Sequence, residues 1–264
     1  MADLFNRQAK QYAEGRPSYP LELFQFIASK TPEHELAWDV GTGNGQAAVS
    51  LAGFYKNVVG TDTSAEQLSF AEKLPNVRYQ QTTPALTVDE LKAKVGPHQT
   101  VDLVTVAQAF HWFDRPTFYQ HVKWLSKRPN GVLAVWCYTL PRINDSIDAI
   151  IDRVYAELEP FWAAPRKMVD DEYRSFEFPF EPVEGTEHTG PFEFEAKQSM
   201  DLDAYLTYIQ SWSAYQIARQ KGIEHLTEEV VEDFKRAWGG EDEKHSIKVA
   251  KFPVFLRIGK VGNE

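Results

Sequence analysis

The sequence predicts an α/β fold, an open and mostly parallel sheet with helices on both faces. Three observations predict it. Short apolar runs at 36–40, 57–61, 77–80, 101–107 and 131–138 alternate with stretches of helical spacing, as expected for strands joined by crossover helices. The first run opens directly into a turn with glycines at 41, 43 and 45, and a helix-compatible stretch follows. The second run ends on an acidic residue, Asp62. In such sheets ligands sit beyond the carboxyl ends of the strands. The glycine turn, Asp62, residues 82–85 and residues 107–112 all fall there.

Each element has a local reason. Phe5, Ala9 and Tyr12 lie at helical spacing before Gly15 and Pro17 interrupt it. Pro20 suits the first turn of a helix whose apolar face is Leu23, Phe24 and Ile27. A helix follows the glycine turn over 46–54. Ser64 can cap the next helix, with Gln67 three residues on as in a capping box and an apolar set of Leu68, Phe70 and Ala71. Residues 86–95 read as a short helix. Phe118, Val122 and Leu125 give one face of a helix before strand 131–138. Beyond Leu140 the rhythm changes. Ile147, Ile151, Val154 and Leu158 mark a helix, and 160–191 reads as an irregular insertion rich in Pro, Phe and Glu. Residues 192–198 alternate like a strand, and Leu202, Tyr205, Ile209 and Trp212 fit one helix face. Thr227 can cap a helix carrying Val231, Phe234 and Trp238, which Gly239 and Gly240 end. Residues 249–258 read as a last strand, antiparallel to its neighbour, with Pro253 marking a bulge or an edge.

Bulk properties narrow the class. With 264 residues the chain is expected to form a single domain. The formal net charge of −10 disfavours nucleic acid or an anionic membrane as partner. The single cysteine, Cys137, allows no intrachain disulfide, and there is neither an apolar signal core nor an apolar run long enough to span a bilayer. A cytoplasmic protein acting on a small molecule, as monomer or homodimer, is expected. No metal-ligand spacing occurs among the seven histidines.

The glycine spacing is Gly-x-Gly-x-Gly, whereas the dinucleotide fingerprint requires Gly-x-Gly-x-x-Gly. A nicotinamide oxidoreductase is therefore disfavoured. Asp62, 21 positions after Gly41, is placed to accept hydrogen bonds from ribose hydroxyls. Taken together, Tyr12 with Arg16-Pro-x-Tyr-Pro20, Asp39-Val-Gly-Thr-Gly-Asn-Gly-Gln46, Gly60-Thr-Asp-Thr-Ser64 and Ala107-Gln-Ala-Phe-His-Trp-Phe-Asp114 resemble the class I S-adenosylmethionine-dependent methyltransferases. More narrowly they are similar to the trans-aconitate methyltransferase-like branch with its type 11 methyltransferase domain. The resemblance covers the whole chain, best over 1–138. One departure is the segment Gln81-Thr-Thr-Pro-Ala-Leu86, where many relatives carry an acidic residue near the adenine.

The resemblance implies a Rossmann-like seven-stranded sheet, mostly parallel with the last strand antiparallel. It also implies lid and helices over 1–30, a cofactor-binding core over 31–138, an insertion or lid over 139–191, and C-terminal strands and helices over 192–264. S-adenosyl-L-methionine is the implied cofactor. Its implied contacts are Tyr12, Asp39, Gly41, Gly43, Gly45, Asp62, Thr63, Thr83, Ala85, Ala107 and Gln108. The turn then receives an amino-acid carboxylate in place of a pyrophosphate. For the acceptor the candidates are Arg16, Tyr19, His111, Trp112, Tyr138 and Trp212, with His111 as the catalytic candidate. Carboxyl O-methylation of an organic acid is the preferred expectation, because a carboxylate is already ionised and needs only a cation or donors to position it: Arg16, His111 or Arg142. A hydroxyl, amine or carbon acceptor would need a base, for which His111 is the best-placed titratable group. O-, N- or C-methylation of a neutral metabolite and a non-catalytic cofactor-binding protein are the alternatives.

Overall fold

The structure is a computed structural model and describes residues 17–240, 243 and 245–263. Tyr12, Arg16 and the helical spacing before them lie outside the described residues. The described chain runs α1 (Leu21–Ser29), β1 (Leu36–Val40), α2 (Gln46–Leu51), β2 (Asn57–Asp62), α3 (Ala65–Ser69), β3 (Val77–Gln81), α4 (Val88–Lys94), β4 (Leu103–Ala107), α5 (Arg115–Leu125) and β5 (Val132–Tyr138). It continues with α6 (Asp145–Glu157), α7 (Lys167–Asp170), β6 (Phe192–Met200), α8 (Leu202–Gln210), α9 (Ser213–Gln220), α10 (Glu228–Trp238) and β7 (Lys248–Lys260). The seven strands form one sheet in the order β3-β2-β1-β4-β5-β7-β6. β7 runs antiparallel to both neighbours, and the other pairings are parallel. The expected seven-stranded, doubly covered sheet with an antiparallel last strand is what forms.

The caps follow from side-chain chemistry. Ser64 Oγ accepts from Gln67 N at 3.2 Å. Thr87 and Glu90 form a reciprocal capping box on α4, so that helix begins two residues later than the sequence predicts. Asp114, Asn144, Asp201 and Thr227 cap α5, α6, α8 and α10. Each cap satisfies an orphan N–H and is worth about 1 kcal/mol.

Alternation along the strands divides the core. Ala37, Leu103, Ala134 and Trp136 face a layer built by α1, α2, α6, α8, α9 and α10. Trp38, Val104, Val135 and Cys137 face α5 and the aromatics of the insertion, Tyr173, Phe176, Phe178 and Phe180. The central strands are thus buried on both sides, which is why they read as apolar runs.

Two expectations are corrected. The helix after Ser64 ends at Ser69, and Phe70 is 48% exposed instead of packing on an apolar face. The single helix expected through Trp212 is two, with Trp212 as the N-cap of α9. Gln216 Nε2 donates to Gln210 O at 2.7 Å across the break. Pro253 marks no bulge, and it sits at a local edge one residue past the end of the β5–β7 ladder. The β6–β7 register runs unbroken through Glu195↔Pro253, and the β5–β7 pairing ends at Tyr138↔Val254. Thr139 N donates to Pro253 O, so the proline nitrogen faces the side where β5 has just ended, and no ladder donor is lost inside the sheet.

Candidate functional site

The loop after β1 is shaped by three glycines at positive φ: Gly41 (66°), Gly43 (57°) and Gly45 (85°). They do different work. A Cβ on Gly41 would meet Ala109 Cβ at 2.8 Å, and one on Gly45 would run into the Tyr79 ring, 2.9 Å from Cζ. At Gly43 the nearest atom would be Gln67 Oε1 at 3.9 Å. Gly41 and Gly45 thus admit neighbouring protein, and Gly43 presents bare backbone to open space, as a ligand cradle requires.

Acidic groups lie on either side of this loop. Asp39 is fully buried and accepts from Thr42 Oγ1 at 2.5 Å and Thr105 Oγ1 at 2.7 Å. Burial outweighs both hydroxyls and raises its pKa to about 6, with the Asp62 charge adding to the rise. Asp62, at the end of β2, accepts from Gly43 N at 2.8 Å and Ser64 N at 2.9 Å. One carboxylate therefore fixes the glycine loop and starts α3. Thr63 is exposed beside it, and its carbonyl accepts from Gln81 Nε2 at 3.1 Å. Thr82 N donates to Asp62 O. Thr83 Oγ1 is 2.8 Å from Glu90 Oε2, and Ala85 is exposed next to it. The Thr83 hydroxyl is thus engaged by α4, and backbone and Thr82 border the loop side.

At the end of β4, Ala107 is half-buried and Gln108 adopts φ 55°. Gln108 N donates to Trp136 O and its Nε2 to Tyr138 O at 3.1 Å. Its Oε1 is buried without a hydrogen-bond partner among the described residues. A strained backbone and an orphaned buried acceptor, one residue from the Ala109 contact with the glycine loop, suit a polar ligand. Residues Phe110–Trp112 then form a 3₁₀ turn. His111 Nδ1 is 3.0 Å from the hydroxyl of Tyr173, a fully buried residue of the insertion at φ 59°. Which of the two groups donates follows from the ring nitrogen of His111 that carries the proton. Desolvation, with the Arg166 charge, pulls the His111 pKa down to about 3. His111 is a neutral donor at neutral pH and a weak base. Trp112 is half-buried, with its ring 5.0 Å from that of His111.

The remaining acceptor candidates split. Tyr19 meets Trp136 edge-on at 5.4 Å and Tyr138 at 6.3 Å. Tyr138 closes β5 and is almost fully buried. Trp212 belongs to a cluster with Tyr155, Trp162 and Tyr208, at 5.6–5.8 Å between ring centres. Arg142 pairs with Asp152 through both carboxylate oxygens at 2.9 Å on an exposed helix face. Sequence reasoning missed Tyr79, Tyr173 and Arg166. Tyr79 reaches from β3 across Gly60 to the back of the glycine loop, with its hydroxyl buried and unpartnered among the described residues. Only the bare Gly60 in a strand hinted at it. Tyr173 and Arg166 sit in the irregular insertion, where no periodicity signals direction.

The sheet order, the glycine loop at the end of β1, the acid at the end of β2 and the open backbone at Gly43 define a nucleotide-cofactor-binding α/β enzyme of the methyltransferase kind. A methyltransferase domain family model matches residues 38–135. A Dictyostelium discoideum protein described as a methyltransferase is 35% identical over 263 residues, covering 98% of this chain and 95% of its own length. The protein CRG1 of Saccharomyces cerevisiae, described as an S-adenosylmethionine-dependent methyltransferase, is 26% identical over 80% of each chain. Among solved structures, one described as a type II methyltransferase from Anaeromyxobacter dehalogenans superposes with TM-score 0.79 at 29% identity, covering 94% of this chain and 99% of its own. The chain belongs to the class I S-adenosylmethionine-dependent methyltransferases with a type 11 methyltransferase domain, and is an enzyme of that activity. No helix among the described residues is long and apolar enough to cross a membrane.

Proposed function

We propose that the enzyme methylates a small organic acid on a carboxylate oxygen. When bound, S-adenosylmethionine supplies a methyl group on a sulfonium to a nucleophile. The residues that would hold it are the 41–45 loop, Asp62, Thr63, Ala107 and Gln108, with Asp39 beneath the loop, and the motif resemblance adds Tyr12, which lies outside the described residues. The acceptor would lie against Arg16, Tyr19, His111, Trp112, Tyr138 and Trp212. The observation that carries the acid reading is the state of His111, the titratable group of the 107–114 motif that faces this region. With its pKa near 3 it is poorly suited to remove a proton from a hydroxyl or an amine. An ionised carboxylate has no proton to give up. It needs donors, and we assign the ring proton of His111 to Nε2 as one of them. His111 therefore acts as a positioning donor. The similarity of the motifs to the trans-aconitate methyltransferase-like branch supports the same class. The insertion over 139–191 and helices α8 and α9 serve as the roof that excludes water.

The test is methyl release over a panel of carboxylic acids, phenols and amines at varied pH. A carboxylate acceptor gives kcat/KM flat between about pH 7 and 9, above the titration of Asp39, since no proton is removed. Turnover confined to phenols or amines, rising with pH, would favour a neutral metabolite instead.

A further inference from the structure

We propose that Arg166 is the residue that recognises the anionic group of the acceptor, an inference that rests on the acid-methylation reading above. Arg166 ends a 3₁₀ turn, Ala164–Arg166, that packs against the turn Phe110–Trp112. Its side chain is 18% exposed, against 44% for Arg142. Its charge acts on His111, Tyr173 and Tyr208, which places it among the motif, the insertion and α8. Aromatic rings hold the guanidinium in place, with Trp162 4.9 Å and Tyr155 5.7 Å from it. Only Nε is engaged, to Tyr155 Oη at 3.1 Å and Asp170 Oδ1 at 3.3 Å. The two terminal nitrogens have no hydrogen-bond partner among the described residues.

Other arginines show what a structural role looks like in this molecule. Arg257, also buried, uses every nitrogen: Nε to Thr189 O, Nη1 to Tyr173 O and Nη2 to Thr189 Oγ1, at 2.9–3.2 Å. Arg142 spends its guanidinium on Asp152. A guanidinium that is mostly withdrawn from water, fixed by stacking and left with a free pair of nitrogens is set up for bidentate binding of a carboxylate. The neighbouring rings of Tyr155, Trp162, Tyr208 and Trp212 suit a flat or apolar acid body.

The test reads binding as well as turnover. Protein loaded with S-adenosylhomocysteine is titrated calorimetrically with hexanoate, trans-cinnamate and trans-aconitate, and with cinnamamide as the uncharged counterpart. The wild type is expected to bind at least one acid, and cinnamate ahead of the amide if cinnamate is that acid. Arg166→Gln is expected to weaken acid binding about 100-fold, as loss of a charge-assisted bidentate pair does. Binding of S-adenosylhomocysteine stays unchanged. Arg166→Lys keeps the charge without the fork and should lose about 10-fold. Asp170→Asn removes the competing carboxylate and should tighten acid binding. Should Arg166→Gln fail to fold, the Lys and Asn variants decide, and unchanged acid affinity in both overturns the proposal. Wild type that binds none of the acids, or Arg166→Gln that binds them equally well, also overturns it. Acid that binds through Arg166 but is methylated elsewhere than on its carboxylate refutes the proposed function and leaves this inference standing. Ester formation untouched by Arg166→Gln does the reverse.

Discussion

Replacing each loop glycine by alanine separates the scaffold from the ligand cradle. All three positions are at positive φ, so an alanine costs about 1–2 kcal/mol in backbone strain. At Gly43 that is the whole cost, because the new Cβ meets nothing closer than 3.9 Å. At Gly45 the Cβ collides with a Tyr79 ring that cannot retreat, since Gly60 already lets the same ring approach its own Cβ position to 2.7 Å. Overpacking adds about 1–3 kcal/mol there. For a chain of 264 residues the unfolding entropy is about 0.55 kcal/mol/K, so each 1 kcal/mol moves Tm by about 2 °C. Gly43→Ala should lower Tm by about 2–4 °C and Gly45→Ala by about 4–9 °C. Affinity should separate the two in the opposite sense. Gly43→Ala fills space that the ligand uses and should weaken S-adenosylhomocysteine about 10-fold or more. Differential scanning fluorimetry and calorimetric titration on both variants supply the two numbers. A Gly43→Ala protein with wild-type affinity refutes the assignment of Gly43 to the cradle. A Gly45→Ala protein as stable as Gly43→Ala refutes the packing argument.

Other expectations follow from the buried charges. Asp102 is 2% exposed, accepts from Glu35 N and Leu36 N at 2.8 Å and pairs with Lys127 at 2.6 Å. Asp102→Ala strands two backbone donors while Lys127 keeps its pair with Glu33 at 2.7 Å, and should cost about 2–4 kcal/mol in denaturant unfolding. The pKa of Asp39 is raised from 3.8 to about 6 by burial, so the folded state holds the proton longer. The stability this contributes is complete below about pH 4 and lost as pH rises through about 6, and Asp39→Asn should flatten that part of the Tm–pH curve. His111 shifts the other way, from 6.5 down to about 3. Its contribution is present above about pH 6.5 and lost as pH falls toward 3, and His111→Asn should retain more of its Tm on acidification from 6.5 to 4.

The core of the fold was legible because central parallel strands are buried on both faces and therefore read as apolar runs, as 36–40 and 131–138 do. The loop was legible because positive φ at 41, 43 and 45 restricts those positions to glycine. Sequence could not show that the Gly41 and Gly45 positions serve Ala109 and Tyr79, since those contacts bridge strands distant along the chain. The break at Trp212 escaped notice because apolar spacing is nearly continuous through α8 and α9, and only the local capping by Gln216 ends one helix before the other begins. Arg166 and Tyr173 escaped for a related reason. They lie in a segment without periodicity, where direction is set by tertiary stacking. Arg142, which looked equivalent by composition, is committed to a surface pair with Asp152.

The central claim is that a carboxylate oxygen receives the methyl group without a base, and the chemistry of the product tests it most directly. Wild-type enzyme is incubated with methyl-labelled S-adenosylmethionine and the best acid of the panel, and the product is isolated and treated with alkali. The account predicts a methyl ester that releases its label as methanol. Label retained through alkali, as an ether, a methylamine or a C-methyl product, contradicts it.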